Sequence, residues 1–324
     1  MNYYKSGAVA ALLTTALTAP LAAIAGPTIG LDATGGGAYT TYADLWTNIT
    51  DTALVTGFIP GANVGGPGGI APYLTELRTQ TKIGTMSNSN TGSLVTPAGL
   101  NTSFEITKVV RFQELVTSQN PTTATFGLTP TQSAAMDVDA TRAGVQNFAL
   151  YFDRITPGGP SEAVPGNGAG TVRCYGAGST GGLGNGCGGG TDPDADGIMI
   201  LSGHLIFNTA SFTSSGAVGT GSFDTRFMID YVDPAYLDIV TGSIFQDTFT
   251  GTTNVPSFFT PTSMWDGSTV GSVPFLKVDS SQSFAAVPEP GTLAIMGLGL
   301  AGLALGQRRK AVPLAPAPAP ALPQ

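Results

Sequence analysis

The sequence predicts an all-β protein, an antiparallel β-sandwich or jelly roll, with a short hydrophobic helix near its C-terminus. Three observations support this fold class. Apolar and polar residues alternate with a period of two in several segments, and Gly and Pro recur between those segments. Charged residues make up only 10% of the chain, well below the usual quarter. The polar surface must therefore consist mainly of Ser, Thr, Asn and Gly.

Residues 222–232, "SFDTRFMIDYV", show the alternation most clearly. Phe223, Phe227 and Ile229 fall on one side, which is the pattern of a half-buried strand. Residues 103–115 and 147–153 show the same pattern. Their single-face apolar residues are Phe104, Ile106, Val110 and Phe112, then Phe148, Leu150 and Phe152.

Two further segments, 197–208 and 39–54, lack the clear alternation of a half-buried strand. The run 197–208 is more continuously apolar, which favours a central strand covered on both faces. It contains His204, the one histidine of the chain, which we expect to be a satisfied core residue rather than a base. Residues 39–54 are the one candidate helix, although their Thr content disfavours it. No repeat of fixed period is present, which weakens the alternative of a solenoid.

The N-terminus has the features of a secretory signal peptide. Lys5 precedes an apolar stretch over residues 8–24, and Ala23-Ile24-Ala25 satisfies the small-x-small rule for cleavage before Gly26. A second, weaker cleavage position follows Ala19. The sequence therefore predicts export, with residues 1–25 removed.

A second apolar segment lies near the C-terminus, after the tetrapeptide Val287, Pro288, Glu289, Pro290. Residues 291–306 carry no charge and precede Arg308, Arg309 and Lys310. As a helix they would span about 24 Å, which is short for a bilayer core of about 30 Å. The cationic flank is typical of the cytoplasmic side of a membrane helix. The segment is thus predicted to be a transient anchor rather than a core helix.

A signal peptide combined with Val-Pro-Glu-Pro, a short Gly/Leu/Ala helix and an Arg-rich end resembles the PEP-CTERM sorting signal, also called the ice-binding protein C-terminal domain. The resemblance implies processing by an exosortase, a membrane protease of Gram-negative bacteria that secrete polysaccharide. Stretches of the body, such as "YADLWTNITDT" and "FALYFDRI", are similar to exported PEP-CTERM proteins linked to flocculation. The ice-binding label describes the tail and implies no activity for the body.

These features divide the chain into four parts. They are a signal peptide (1–25), a β-rich exported domain (26–286), the sorting and transmembrane segment (287–310), and an Ala/Pro-rich tail (311–324). The tail departs from the sorting signal, which usually ends at the basic cluster, and its alternating Ala and Pro favour an extended polyproline-like segment.

The exported domain is acidic. Of the 21 acidic and 13 basic residues of the chain, it retains 20 and nine, a formal charge of −11. Such a charge disfavours nucleic acid and anionic lipid as partners.

Cys174 and Cys187 are the two cysteines of the chain and lie in a glycine-rich stretch. An even number of cysteines in an exported protein favours a disulfide. Closing a loop of this size would stabilise the fold by about 3 kcal/mol on the chain-entropy model. A metal thiolate or a redox pair fits less well, because the chain has one histidine and no C-x-x-C motif.

Asp192, Asp194 and Asp196 follow at alternate positions, with Gly197 next. This spacing resembles the first half of an EF-hand or dockerin loop and makes calcium a candidate ligand. The twelfth position is Gly203 rather than a bidentate Glu, so further ligands would have to come from elsewhere. The alternative is a solvated Asp-rich turn that leads into a strand.

Trp46 and Trp265 are candidate sugar-stacking residues, with packing in the core or at an edge as the alternative. Signals of catalysis are few, since the chain has no G-x-S-x-G, H-E-x-x-H or phosphate-loop motif. A carboxylate pair of a glycosidase is the remaining enzymatic alternative.

The sequence therefore predicts a non-enzymatic surface or extracellular-matrix protein associated with exopolysaccharide, biofilm or flocs. The alternative is a calcium-stabilised carbohydrate-binding module. The expected partners are an exosortase, extracellular polysaccharide and, through residues 291–306, a membrane.

Overall fold

The computed structural model describes residues 28–139, 142–154, 197–215, 218–253, 264 and 275–285. The strands are β1 (Ile29–Leu31), β2 (Thr41–Ala43), β3 (Leu45–Thr56), β4 (Tyr73–Asn88), β5 (Ser93–Leu94), β6 (Phe104–Gln119), β7 (Thr123–Leu128), β8 (Phe148–Arg154), β9 (Ile198–Ser215), β10 (Val218–Val232), β11 (Leu237–Asp238), β12 (Ile244–Thr252) and β13 (Phe275–Ala285). One 3₁₀ turn, Ala134–Met136, precedes β8. The predicted all-β fold is confirmed, since all pairings between these strands are antiparallel.

Ten strands form one large sheet in the order β5-β4-β3-β13-β12-β10-β9-β7-β6-β8. Strand β4 also pairs with β6, and β8 also pairs with β9. Strand pairing that starts at β4 and runs through the sheet to β6 therefore closes back on β4. The sheet folds over on itself in a sandwich-like arrangement with an enclosed interior. A separate three-stranded sheet has the order β11-β1-β2.

The interior is filled by apolar side chains from the inward faces of these strands. Aromatic rings dominate its centre, where Phe148 stacks on Phe245 with ring centroids 4.7 Å apart. Phe227 packs against Phe148 at 4.8 Å. Ring pairs of this kind add stability beyond their buried area, so they tie β8, β10 and β12 together across the interior.

The strand predictions are confirmed for β6, β8 and β10, whose predicted single-face residues are buried. Strand β8 is covered on both faces, because Ala149 and Tyr151 pack in a second cluster with Val138 and Met264. The candidate helix at 39–54 is wrong, because those residues form β2 and most of β3. The β-branched Thr and Ile residues of this stretch favour strand geometry.

Strand β9 differs from the sequence predictions in two respects, the burial of its two faces and the position of His204. The run 197–208 is covered on both faces only near Ile200 to Gly203. His204 is not a core residue, because its side chain is 41% exposed and its Nδ1 lies 2.6 Å from Oδ2 of Asp230. A register shift between Arg226 and Phe227 changes the alternation of β9, so that Leu205 is buried opposite Phe227 and His204 points to the other face.

The chain separates into two compact units, residues 1–286 and 287–324. All described residues belong to the first unit. The predicted signal peptide, hydrophobic helix, sorting motif and Ala/Pro tail lie outside the described residues. Within the described ranges, no helix has the length and apolarity that a membrane crossing requires.

Candidate functional site: a hydroxyl-bearing sheet face

The outward faces of β9, β10, β12 and β13 carry an ordered array of small hydroxyl side chains, which we call the hydroxyl face. The strand register aligns these residues in rows across the sheet. The rows are Thr213, Thr220, Thr252 and Lys277; Ser211, Ser222, Thr250 and Asp279; and Thr209, Asp224, Thr248 and Ser281. Neighbours lie about 4.8 Å apart across strands, and successive rows about 7 Å apart along them.

The local sequence explains why hydroxyls collect on this side. Side chains alternate between the two faces of a strand, and the intervening residues of β10 and β12 include Phe223, Phe227, Phe245 and Phe249, all buried. Burial of these rings fixes the register, because a slip of one residue would expose them. The hydroxyl residues are therefore presented outward by the core on the other side of the same strands.

Hydrogen bonds between neighbouring strands order part of the array. The Ser211 and Ser222 Oγ atoms lie 2.9 Å apart. Thr248 Oγ1 lies 3.1 Å from Ser281 Oγ. A hydroxyl both donates and accepts, so each of these groups keeps capacity to bond water or a polar ligand.

Two shallow depressions cover the face. One has a volume of about 420 Å³ and is lined by Thr213, Thr220, Thr252, Lys277 and their neighbours. The other has a volume of about 500 Å³ and is lined by Thr248, Ser281 and their neighbours. Both include Ser222, Thr250 and Asp279. The two depressions are therefore contiguous, and together they follow β10 and β12 through all three rows.

Charged and aromatic residues mark one end of the face. Arg226 lies over the exposed Phe207 ring, 4.8 Å from its centroid, and its Nη2 is 3.7 Å from Asp224 Oδ2. Gln246 donates from Nε2 to Asp224 Oδ1 at 2.8 Å. The cation is thus held in place by a ring and a carboxylate.

The inward faces of the same four strands also carry a polar row, formed by Asn208, Thr225, Asp247 and Gln282, all buried. Lys108 on β6 reaches across the interior, with Nζ 2.5 Å from Asp247 Oδ2. Gln282 donates to the other oxygen of Asp247 at 3.1 Å. This buried ion pair is therefore also hydrogen bonded, which buried charges require.

A second buried carboxyl group, Glu114 on β6, faces Asn208. Asn208 Nδ2 donates to Glu114 Oε2 at 3.2 Å, and Thr75 Oγ1 donates to Oε1 at 3.3 Å. Burial raises the pKa of Glu114 from 4.5 to about 7, although these two hydrogen bonds lower it. Glu114 therefore titrates near neutral pH inside the protein.

Trp46 is not placed for sugar stacking, which corrects one of the two tryptophan predictions. The Trp46 side chain is 0% exposed, and its ring packs edge-on against Phe284 with centroids 5.2 Å apart. Its position on β3, next to Gln282 in the register, directs the ring inward. Packing in the core, the alternative at the sequence level, is what the structure supports.

The other predicted site residues lie outside the described residues: Trp265, Cys174, Cys187, Asp192, Asp194, Asp196, Val287, Pro288, Glu289, Pro290, Arg308 and Arg309. The stacking, disulfide, calcium and sorting-motif assignments to these positions stay predictions. In the described ranges, no three His, Cys, Asp or Glu side chains converge as a metal site would require.

The sequence patterns above do not predict the hydroxyl face, although the strand sequences contain a regular spacing of hydroxyl residues. Hydroxyl residues occupy alternate positions in 209–213, 220–222 and 248–252. That spacing places them on one face of each strand, but it leaves open which strands are neighbours. Only the register of β9, β10, β12 and β13 joins the three short patterns into one surface.

Comparison with known proteins agrees with the resemblance at the C-terminus. The sequence profile of the PEP-CTERM protein-sorting motif matches residues 286–310. The chain thus carries the signal of an exported protein that is processed by an exosortase and associates with the membrane through its C-terminus. Searches among curated proteins and among solved structures each found no match.

Proposed function

We propose that this chain is a non-catalytic protein of the cell surface or extracellular matrix of a Gram-negative bacterium, which binds extracellular polysaccharide through its hydroxyl face and contributes to biofilm or flocs. The observation that carries the proposal is the alignment of hydroxyl residues in three rows over four strands. The sorting motif supports it, because that motif directs the chain to the envelope, where secreted polysaccharide is found.

The chemistry of the face suits a polymer rich in hydroxyl groups. Ser222 and Thr250 stand at its centre, and each can donate and accept hydrogen bonds. The contacts are individually weak, since a single hydrogen bond contributes about 1 kcal/mol net. A polymer that engages repeated sites gains affinity through multivalency. The face is thus suited to retaining long chains and not to tight binding of a single sugar.

A triple variant tests the proposal. Thr220→Val, Ser222→Ala and Thr250→Val together remove three central hydroxyls while keeping side-chain size and strand propensity similar. Cosedimentation of the full chain with polysaccharide from the producing cells should show at least about a tenfold loss of apparent affinity, because several repeated contacts disappear together.

A matched control lies in the turn that precedes β6. Thr102 and Ser103 are exposed there and belong to none of the three rows. The variant Thr102→Val with Ser103→Ala should bind polysaccharide as the parent chain does. Equal loss of binding in both variants would refute a role specific to the hydroxyl face. Shortening of the polymer during incubation would refute the non-catalytic assignment.

The intact mass of the chain recovered from the extracellular fraction tests export and processing. We expect a species that begins at Gly26, ends near Pro288 to Pro290, and gains two hydrogens on reduction, if Cys174 and Cys187 are paired. A species that retains residues 291–309 and is found only in membranes would make this a membrane-tethered protein instead.

A further inference from the structure

Most cations near the sheet are engaged by carboxylates of the protein itself. Lys108 pairs with Asp247 at 2.5 Å, and Lys82 lies 3.6 Å from Glu105, with both of these side chains buried. A third carboxylate, that of Glu76 Oε1, lies 2.6 Å from Nε of both Arg78 and Arg111. These four cations are thus neutralised within the fold.

The more exposed arginines are engaged as well. Arg142 stacks on Tyr231, 3.6 Å from the ring centroid, and lies 3.5 Å from Asp139. Arg226 stacks on Phe207 beside Asp224. Arg154 donates from Nη2 to the carbonyl oxygen of Thr34 at 2.9 Å. Over the described ranges these side chains form no cluster of free cations of the kind that binds polyanions.

The hydroxyl face has no excess of positive charge. It carries Lys277 and Asp279 at successive outward positions of β13, and Asp224 is adjacent to Arg226. The face is therefore close to neutral, while the exported domain around it has a formal charge of −11. A polymer bearing carboxylate, sulfate or phosphate groups would meet repulsion from the domain, and within the three rows Lys277 is the single cation that could offset it.

We infer that the hydroxyl face selects uncharged polysaccharide and rejects acidic polysaccharide. This inference rests on the proposed function and adds the chemical class of the ligand. Neutral chains offer hydroxyl groups that match the donors and acceptors of the face and do not interact with the net charge of the domain. Selection thus arises from repulsion of acidic polymers by the net charge of the domain, combined with weak hydrogen bonding of neutral polymers by the face.

The test uses extracellular polysaccharide of the producing cells, separated by anion exchange into a neutral and an acidic fraction. Binding of the full chain to each fraction is measured by cosedimentation at 20 mM and at 300 mM NaCl. We expect at least about a tenfold preference for the neutral fraction at low salt, with a smaller preference at high salt because screening weakens repulsion. Affinity for the neutral fraction should change little with salt.

A charge variant away from the hydroxyl face provides a matched control. Asp238 on β11 is exposed, and Asp238→Lys changes the net charge without altering the face. This variant should bind the neutral fraction as the parent does and the acidic fraction more tightly at low salt.

Tighter binding of the acidic fraction, with affinity that falls as salt rises, would overturn the inferred ligand class and leave the proposed polysaccharide-binding function standing. Binding of neither fraction would overturn both.

Discussion

The two faces of β9, β10, β12 and β13 carry similar polar side chains in different surroundings. Thr225 is buried and donates from Oγ1 to the carbonyl oxygen of Asp247 at 3.0 Å. Thr250, on the outward face of the neighbouring strand β12, is exposed and lines both depressions. The inner polar groups are bound to each other, whereas the outer ones keep hydrogen-bonding capacity for solvent or ligand.

Because of this difference, the inner faces of these strands contribute to stability and the outer faces are available for binding. A buried polar group that loses its partner costs free energy, because neither water nor another donor replaces it. An exposed hydroxyl costs little to remove, since water replaces its contacts. Substitutions on the inner face should therefore change the free energy of unfolding, and substitutions on the outer face should change binding.

The largest effect is expected for Lys108. Lys108→Met leaves the Asp247 carboxylate buried without its cation, which should lower the free energy of unfolding by about 3–5 kcal/mol. Urea denaturation measures this change. Lys277→Met on the outer face is the matched control and should change stability by less than about 0.5 kcal/mol. Equal effects at the two lysines would remove the distinction between the faces.

The double variant Lys108→Met with Asp247→Leu sharpens the same comparison. Replacing both members of a buried ion pair by apolar residues is often neutral or stabilising. We therefore expect the double variant to be more stable than Lys108→Met alone. A double variant less stable than either single one would show that the pair itself, rather than the orphaned charge, determines stability.

The next largest effect concerns pH. The pKa of Glu114 is raised in the folded state to about 7, so the folded protein binds a proton that the unfolded chain releases near pH 4.5. Its contribution to stability is fully present below about pH 4.5 and is lost as pH rises to about 7, a change of about 3 kcal/mol. Glu114→Gln should abolish this part of the pH dependence of thermal unfolding. Asp238→Asn, at an exposed position of β11, is the control. An unchanged pH profile in Glu114→Gln would contradict the assignment.

A smaller effect should distinguish two threonines given the same substitution. Thr225→Val removes a buried hydrogen bond and should lower the free energy of unfolding by about 1 kcal/mol. Thr250→Val on the outward face should change it by less than about 0.5 kcal/mol. Chemical denaturation of the two variants provides the comparison, and a larger loss for Thr250→Val would reverse the expected order.

Sequence patterns predicted the fold class and four of the strands, β6, β8, β9 and β10. The alternation in 222–232 is strong because large rings at Phe223 and Phe227 face the interior. Residues 39–54 were ambiguous because Thr and Ala at short intervals suit no single period, and pairing of β3 with both β4 and β13 decides their state. Long-range pairing of this kind is not encoded in local periodicity.

The candidate site was harder to predict for the same reason. The exposure of His204 depends on irregular pairing between β9 and β10, which an apolar run in the sequence does not show. Lys108 and Glu114 share the inward face of β6 with Phe104 and Phe112, so the alternation places them inward, but the residues that they meet, Asp247 and Asn208, lie on distant strands. Their chemistry could be read from the sequence, but their partners could not.

Threonine methyl resonances of the full chain, recorded by NMR during titration with neutral polysaccharide, would test the central claim most directly. We predict shifts for Thr213, Thr220, Thr248 and Thr250 on the hydroxyl face, with Thr225 in the interior and Thr102 in the turn before β6 unchanged. Shifts at Thr102 instead of these four, or no shifts at a polymer concentration that cosediments with the protein, would contradict the claim.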